Sequence, residues 1–507
     1  MTDTREPGSL LAEARELGAV LSDLNQVSGL LGWDQQTFMP KGAASQRGNQ
    51  IATVQTLQHD MITSTRTAEL VRALTDVQDQ FGGTDRAMIR ELRRAHERAT
   101  RIPARLVVEL AHAESEGVGV WTEARANNDF ASFAPALRRL VALSRERAQH
   151  LSDGHDPYDA LHDEFEPGST SAGVQAVFAP LRVATMSLLD RIRGSDVHVD
   201  DAVLRRSWPS DLQETFGREQ SARFGFDYSR GRLDRSVHPF AEAIGRDDVR
   251  ITTRYDANFL STALYGILHE TGHGLYEQGV APELRRTLLE QGTSMAVHES
   301  QSRLWENLVG RSEDFWHGAW PRLAELFPDA LKGVTRDAFV RASNAVRPDL
   351  IRVEADEVTY NLHIMIRFEL ERDLIGGKLD VVDLPEAWNT LYLDYLGTEV
   401  PDDARGCLQD VHWAAGLFGY FPSYALGNLM SVQFMQAARA ALPDLSEQVR
   451  AGQFDPLRDW LTENIYRHGK TYEPLELLGR VTGNGLDAGP YIAYLEEKFG
   501  TIYGVMT

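Results

Sequence analysis

His269 and His273 stand four residues apart in the run ILHETGHGLYEQG (267–279), with Glu270 beside the first of them. On a helix, residues i and i+4 share a face, with Cβ atoms roughly 5–6 Å apart, so both imidazoles can reach one ion at about 2.0–2.1 Å. Glu270 lies a helical step to the side, where a carboxylate can take a proton from the attacking water while the histidines hold zinc. Leu264, Leu268 and Leu275 give the same helix an apolar face to bury. A catalytic zinc usually takes three protein ligands and keeps a fourth position open. The extended pattern with a third histidine does not fit, because Tyr276 and Gly279 stand where it needs Gly and His. A carboxylate from a following helix is the other route. MAVHESQSRLWENL (295–308) reads as helical and offers Glu299, in the polar group His298-Glu299-Ser300-Gln301, and Glu306 on a more ordinary face. Glu290 is a weaker candidate.

The elements that must position these groups are mostly helices. Apolar residues recur at spacings of three and four over 9–30, 44–80, 84–116, 118–128 and 131–151. HDEFEPGSTSAG (162–173) reads as a turn that ends one helical region and caps the next. The pattern changes from Phe226 to Tyr255, where DDVRITTRY (247–255) alternates and is rich in β-branched residues. This predicts a short strand before the histidine helix, whose cap would be Asn258 or Ser261. As an edge strand it could hold an extended peptide beside the metal through backbone hydrogen bonds. The remainder, 281–507, returns to helix, so the fold is expected to be mainly α with a small sheet near the middle.

Composition narrows the classes. The 507 residues carry 42% hydrophobic and 25% charged side chains, the balance of a globular protein. The formal net charge of −22 argues against a nucleic-acid backbone binder, which concentrates Lys and Arg. No run of eighteen apolar residues predicts a membrane span, and the first twenty residues lack the pattern of a signal peptide. The single cysteine, Cys407, allows no internal disulfide and fits a reducing compartment, so a cytoplasmic location is expected. A buried thiol is the simplest reading of Cys407.

Several short motifs occur in order: HPF (238–240), DVRIT (248–252), HETGH (269–273), HESQ (298–301), IRVEAD (351–356) and GCLQDVHW (406–413). With WDQQTFMPKGAASQR (33–47), YDALHDEFEPG (158–168) and FGYFPSYALGN (418–428), they make the chain resemble the M32 family of metallocarboxypeptidases, the carboxypeptidase Taq type. The resemblance covers nearly the whole chain. It implies a zinc- or cobalt-dependent enzyme that removes single residues from peptides with a free C-terminus, with broad specificity and poor cleavage before proline. It further implies a largely helical homodimer with a deep groove. A single domain over 1–507 is then expected, with a mostly helical part (1–225) covering the groove and a catalytic part (226–507). By matching motif positions His269, His273 and Glu299 would bind the metal and Glu270 would be the general base.

A carboxypeptidase must grip a free α-carboxylate, which needs a planar cationic donor. Arg352 in IRVEAD is the first candidate, with Asp356 one helical turn on to hold its guanidinium; Arg250 in DVRIT is the second. The oxyanion of the tetrahedral intermediate needs a donor besides the metal. His412 and Tyr424 resemble family positions near the groove and fit that role. Gln409 could contact substrate or orient a metal ligand, Asp410 could accept the spare ring N–H of a bound histidine, and His238 could touch substrate. Trp413 reads as core packing. Two other functions compete: an oligopeptidase cutting inside short peptides, and a silent peptide-binding protein with a structural metal. A structural site would have no use for Glu270.

Overall fold

The computed structural model describes residues 5–506, which divide into two compact units. The first gathers residues up to 100, 201–343 and 434–483; the second gathers 101–200, 344–433 and 484 onward. Both residues of the expected 225/226 boundary fall in the first unit. The cause is long-range burial. Leu10, Leu21, Leu70, Leu74, Ile89 and Leu92 share one core cluster with Val280, Leu284 and Leu289, so the N-terminal helices are part of the unit that carries the histidines.

Most expected helices form, with two differences in their bounds. The 44–80 stretch is interrupted at Ser64, whose hydroxyl accepts from Thr67 N–H and caps the next helix. The 84–116 stretch is split at Pro103, which has no N–H to donate, while Ala104–Asn127 runs unbroken through residue 117. Gly117 does not break that helix. It serves close packing, since a Cβ there would lie 2.7 Å from the Ala414 carbonyl oxygen. Thr170 caps the helix Ser171–Arg193 by accepting from Gly173 N–H, as the 162–173 turn implied. By length and composition that helix could cross a membrane; Val174, Phe178, Leu181 and Leu188 on it are buried within the protein.

The sheet has three strands in the order β1-β3-β2: β1 (Gly231–Arg235), β2 (Ala241–Ala243) and β3 (Val249–Thr253). β3 is parallel to β1 (Leu233 opposite Ile251) and antiparallel to β2 (Glu242 opposite Arg250). The expected strand at 247–255 is therefore the central one. Both its edges are paired, so it cannot take up an extended peptide; any such role passes to an outer strand. Its burial explains this, because Val249, Ile251, Thr252 and Thr253 are all covered, as suits a strand with elements on both faces. The helix that follows, Leu260–Gly279, starts after Phe259 with no side-chain cap. Neither Asn258 nor Ser261 caps it; instead Asp256 accepts from Asn258 N–H and closes the preceding turn.

Candidate metal centre

In the first unit the helix Leu260–Gly279 carries His269, Glu270 and His273, and the short helix Met295–Arg303 carries Glu299. Ser294 caps the second helix through its hydroxyl, which accepts from Val297 N–H. The two helices meet at Gly272. A Cβ there would lie 2.5 Å from the Gln301 carbonyl oxygen and 2.6 Å from Ser302 Cα, so the absent side chain lets the helices approach. That approach brings Glu299 Oε2 to 3.5 Å from His269 Nε2 and 3.5 Å from His273 Nε2. Ligand atoms about 2.1 Å from a tetrahedral ion lie about 3.4 Å from one another. Both carboxylate–imidazole separations suit a small divalent cation, and the three side chains form a group of potential metal-binding side chains whose ligand atoms all lie within 4.8 Å of one another.

The outward nitrogens of both rings are engaged, and this sets their tautomers. His269 Nδ1 lies 2.9 Å from Glu306 Oε2, and a carboxylate can only accept, so Nδ1 carries a hydrogen and Nε2 is the nitrogen turned toward Glu299. His273 Nδ1 lies 2.7 Å from His298 Nδ1, and His298 Nε2 lies 2.6 Å from Glu277 Oε1. Where His298 Nε2–H donates to Glu277 and its Nδ1 accepts from His273 Nδ1–H, His273 Nε2 is left for a cation. Glu277 Oε1 is itself fixed by Gly292 N–H. These partners were only partly legible. His298 stands in the quoted HESQ motif and Glu306 is one of the two candidate ligands, but Glu277 carries no local signal.

Glu306 is not on an ordinary face. It is buried, and a π-helical turn at Leu304–Val309 continues the helix of Glu299 through it. Gly310 N–H bonds back to the Trp305 carbonyl, five residues earlier, and such turns cluster at functional sites. Arg303 Nε donates to Glu299 Oε1 at 2.7 Å and its Nη1 to Glu306 Oε2 at 3.2 Å, while Arg311 Nη2 donates to Glu306 Oε1 at 2.9 Å. Burial pushes both carboxyls up, but Arg303 and the histidines, joined at Glu306 by Arg311, hold them well below the usual carboxylate range. Burial lowers His273 to about 4, so its ring is neutral at neutral pH. Glu270 differs from its neighbours. Burial, opposed by His269 and reinforced by Glu299 and Glu306, pushes its carboxyl up to about 7. Glu290 takes no part: its carboxylate accepts from Arg246 N–H, Arg286 N–H and Gln26.

The other anticipated residues separate between the units. In the first, His238 is exposed and its carbonyl accepts from Ser236 Oγ. Arg250 points both ends of its fork at Asp248 (2.8 and 2.7 Å) and stacks on Trp33 with its guanidinium carbon 4.3 Å from the ring centroid. In the second unit Arg352 is buried, with Nε and Nη2 on Asp410 Oδ1 and Nη1 on Tyr360 OH. Asp410 is shared, because its Oδ2 takes Nε and Nη2 of the fully buried Arg367 at 2.7 and 2.6 Å. The Arg352 guanidinium also lies against Tyr424, 4.9 Å from the ring centroid, and Tyr424 OH is 3.3 Å from His412 Nε2.

Three expected contacts are corrected here. Asp356 does not hold the Arg352 guanidinium. Residues 352–354 form a 3₁₀ turn rather than an α-helix, and Asp356 instead accepts from the backbone N–H groups of Arg347, Val358 and Thr359. Asp410 does not back a metal-binding histidine; two guanidiniums occupy it, and that outer position belongs to Glu306 and His298. Gln409 supports the loop: its Oε1 accepts from Arg352 N–H and its amide donates to the Leu350 and Arg405 carbonyls. Trp413 is buried as expected, and its indole N–H donates to Glu371.

Comparisons with known proteins point the same way. The profile of the family described as Carboxypeptidase Taq (M32) metallopeptidase matches residues 13–499. The chain is 46% identical over 494 residues to thermostable carboxypeptidase 1 of Thermus thermophilus, covering 95% of this chain and 96% of that one. It is 37% identical over 483 residues to carboxypeptidase 1 of Bacillus subtilis, with 95% and 96% covered. Its structure is similar to that of the M32 carboxypeptidase from Deinococcus radiodurans, with a TM-score of 0.94, 42% identity, and 98% and 100% of the two chains covered.

Proposed function

Because the chain belongs to the M32 family of carboxypeptidase Taq metallopeptidases, it is a metal-dependent carboxypeptidase acting on peptides, and we propose how its residues divide that work. The observation that carries the reading is the convergence of two imidazole nitrogens on one carboxylate oxygen, each 3.5 Å from it. His269, His273 and Glu299 are the proposed ligands of a single zinc ion, a role cobalt can also fill. A divalent cation there supplies Lewis acidity and lowers the pKa of a water to about 7. Glu270 is the proposed base. Its raised pKa suits a group that accepts the water proton and returns it to the leaving amine near neutral pH.

The second unit offers the grip on the substrate terminus. Arg352 and Arg367 share the single charge of Asp410, and burial holds His412 neutral by lowering it to about 3. The buried Arg352–Asp410–Arg367 group thus carries one net positive charge, which the α-carboxylate of a peptide would neutralise. Three of the five N–H groups of Arg352 are committed, leaving two for that carboxylate. Arg250 remains the second candidate, and His238 is a secondary substrate contact. His412 and Tyr424 are proposed donors to the oxyanion. Broad specificity with poor cleavage before proline, a homodimer, a cytoplasmic location, and no nucleic-acid or membrane partner complete the reading; the charge of −22 supports the exclusion of nucleic acid.

The test is to digest one peptide and its C-terminally amidated twin with the zinc-loaded enzyme. Stepwise loss of single residues from the free form alone is expected. Internal fragments from both forms would replace the carboxypeptidase reading with that of an oligopeptidase.

A further inference from the structure

Arg303 stands between two carboxylates that serve the metal centre in different ways. Its Nε binds Glu299 Oε1, the oxygen turned away from the histidines, at 2.7 Å, and its Nη1 binds Glu306 Oε2 at 3.2 Å. The same Glu306 oxygen receives His269 Nδ1–H at 2.9 Å. Glu299 Oε2, which faces both imidazoles, takes a further hydrogen bond from Ser302 Oγ at 3.0 Å. A ladder therefore runs from His269 through Glu306 and Arg303 to Glu299, and a cation bound to His269 and Glu299 would close it into a ring. All four side chains are largely buried, with Glu299 and Glu306 at 7% and 9% exposure and Arg303 at 15%.

A carboxylate can bind a cation through one oxygen or through both. With two oxygens, Glu299 would raise the coordination number of a bound cation and crowd the position that a catalytic site keeps for water and substrate. Arg303 opposes this, because its charge-assisted N–H bond already draws on Oε1 and anchors that oxygen toward the guanidinium. The planar fork serves Glu299 and Glu306 from two fixed directions, whereas a lysine ammonium is a compact charge on a flexible stem. The spacing suits this: Arg303 is i+4 from Glu299 and i−3 from Glu306, so the three lie along one helical face.

We propose that Arg303 is a positioning residue that favours one-oxygen ligation by Glu299 and thereby keeps the coordination number of a bound cation low, with room for water and substrate. This rests on the reading of His269, His273 and Glu299 as the metal ligands. The test uses full-length protein loaded with cobalt(II), whose visible absorption weakens as its coordination number rises. Wild type, Arg303→Met and Arg303→Lys are compared for absorption, metal dissociation constant, kcat and KM. The Met variant is expected to keep its metal within threefold of the wild-type dissociation constant. Its absorption weakens and its kcat falls about 10–100-fold, the usual range for a partner behind a ligand, with KM little changed. Arg303→Lys is expected to fall between the two, and it decides the question should the Met variant not fold. Absorption and kcat of the variants matching wild type within twofold would overturn the proposal. So would loss of the metal with the fold intact, since Arg303 would then secure binding rather than the attitude of Glu299. A wild-type protein that binds no cobalt would instead overturn the metal-site reading beneath it.

Discussion

Glu270→Gln is expected to bind zinc as the parent does and to lose kcat by about 10²–10⁴-fold, the usual contribution of a positioned general base. The amide keeps the size and the hydrogen-bonding reach of the carboxylate but cannot take up a proton at neutral pH. Burial, first among its influences, pushes the Glu270 carboxyl up to about 7. The ionised form is the base, so kcat/KM of the parent rises with pH through the Glu270 pKa and falls below it; a bound divalent cation displaces this limb toward lower pH. In the Gln variant the limb disappears. Metal content with steady-state kinetics across the neutral range checks both statements. A variant that retains its metal and turns over as the parent does would assign the base elsewhere.

Arg352→Ala carries the second large effect. Two charge-assisted hydrogen bonds to a terminal carboxylate are together worth about 3–6 kcal/mol at about 1.5–3 kcal/mol each, so kcat/KM on free peptides should fall about 10²–10⁴-fold. Most of the loss should appear in KM, because the same contact exists before and during reaction. Arg352→Lys should recover part of it, since the charge returns without the fork. The variant also leaves Asp410 with Arg367 alone and removes the cation beside Tyr360 and Tyr424, so thermal stability is measured alongside. Steady-state kinetics on free and amidated substrates separates the roles. An unchanged KM for free peptides would return Arg352 to a purely structural place and move the clamp to Arg250.

What could be read from the residues follows the range of the interactions involved. The His269–His273 pair is local geometry on one helix, so spacing alone gives the shared face. The third ligand is a tertiary matter. Residue pattern leaves Glu299 and Glu306 both open, and the structure employs both, one on the inner side of the rings and the other behind His269. Their separation depends on Gly272, on a π-turn with no obvious local signature, and on Arg303. Asp356 misled because the i+4 rule presumes an α-helix, and residues 352–354 do not form one. Asp410 found two arginines, one of them distant in sequence, instead of a histidine. β3 has the alternation of a strand at either position, and only its two neighbours make it central.

The most direct measurement is the coordination shell of the bound ion, taken by X-ray absorption at the zinc edge on wild type and on Glu299→Ala. The account predicts two imidazole nitrogens and one carboxylate oxygen in the wild type, with a remaining position that exchanges with solvent. In the variant it predicts loss of the carboxylate together with greatly weakened binding. An ion enclosed by protein ligands on all sides, or a wild-type shell unchanged when Glu299 is removed, would contradict it.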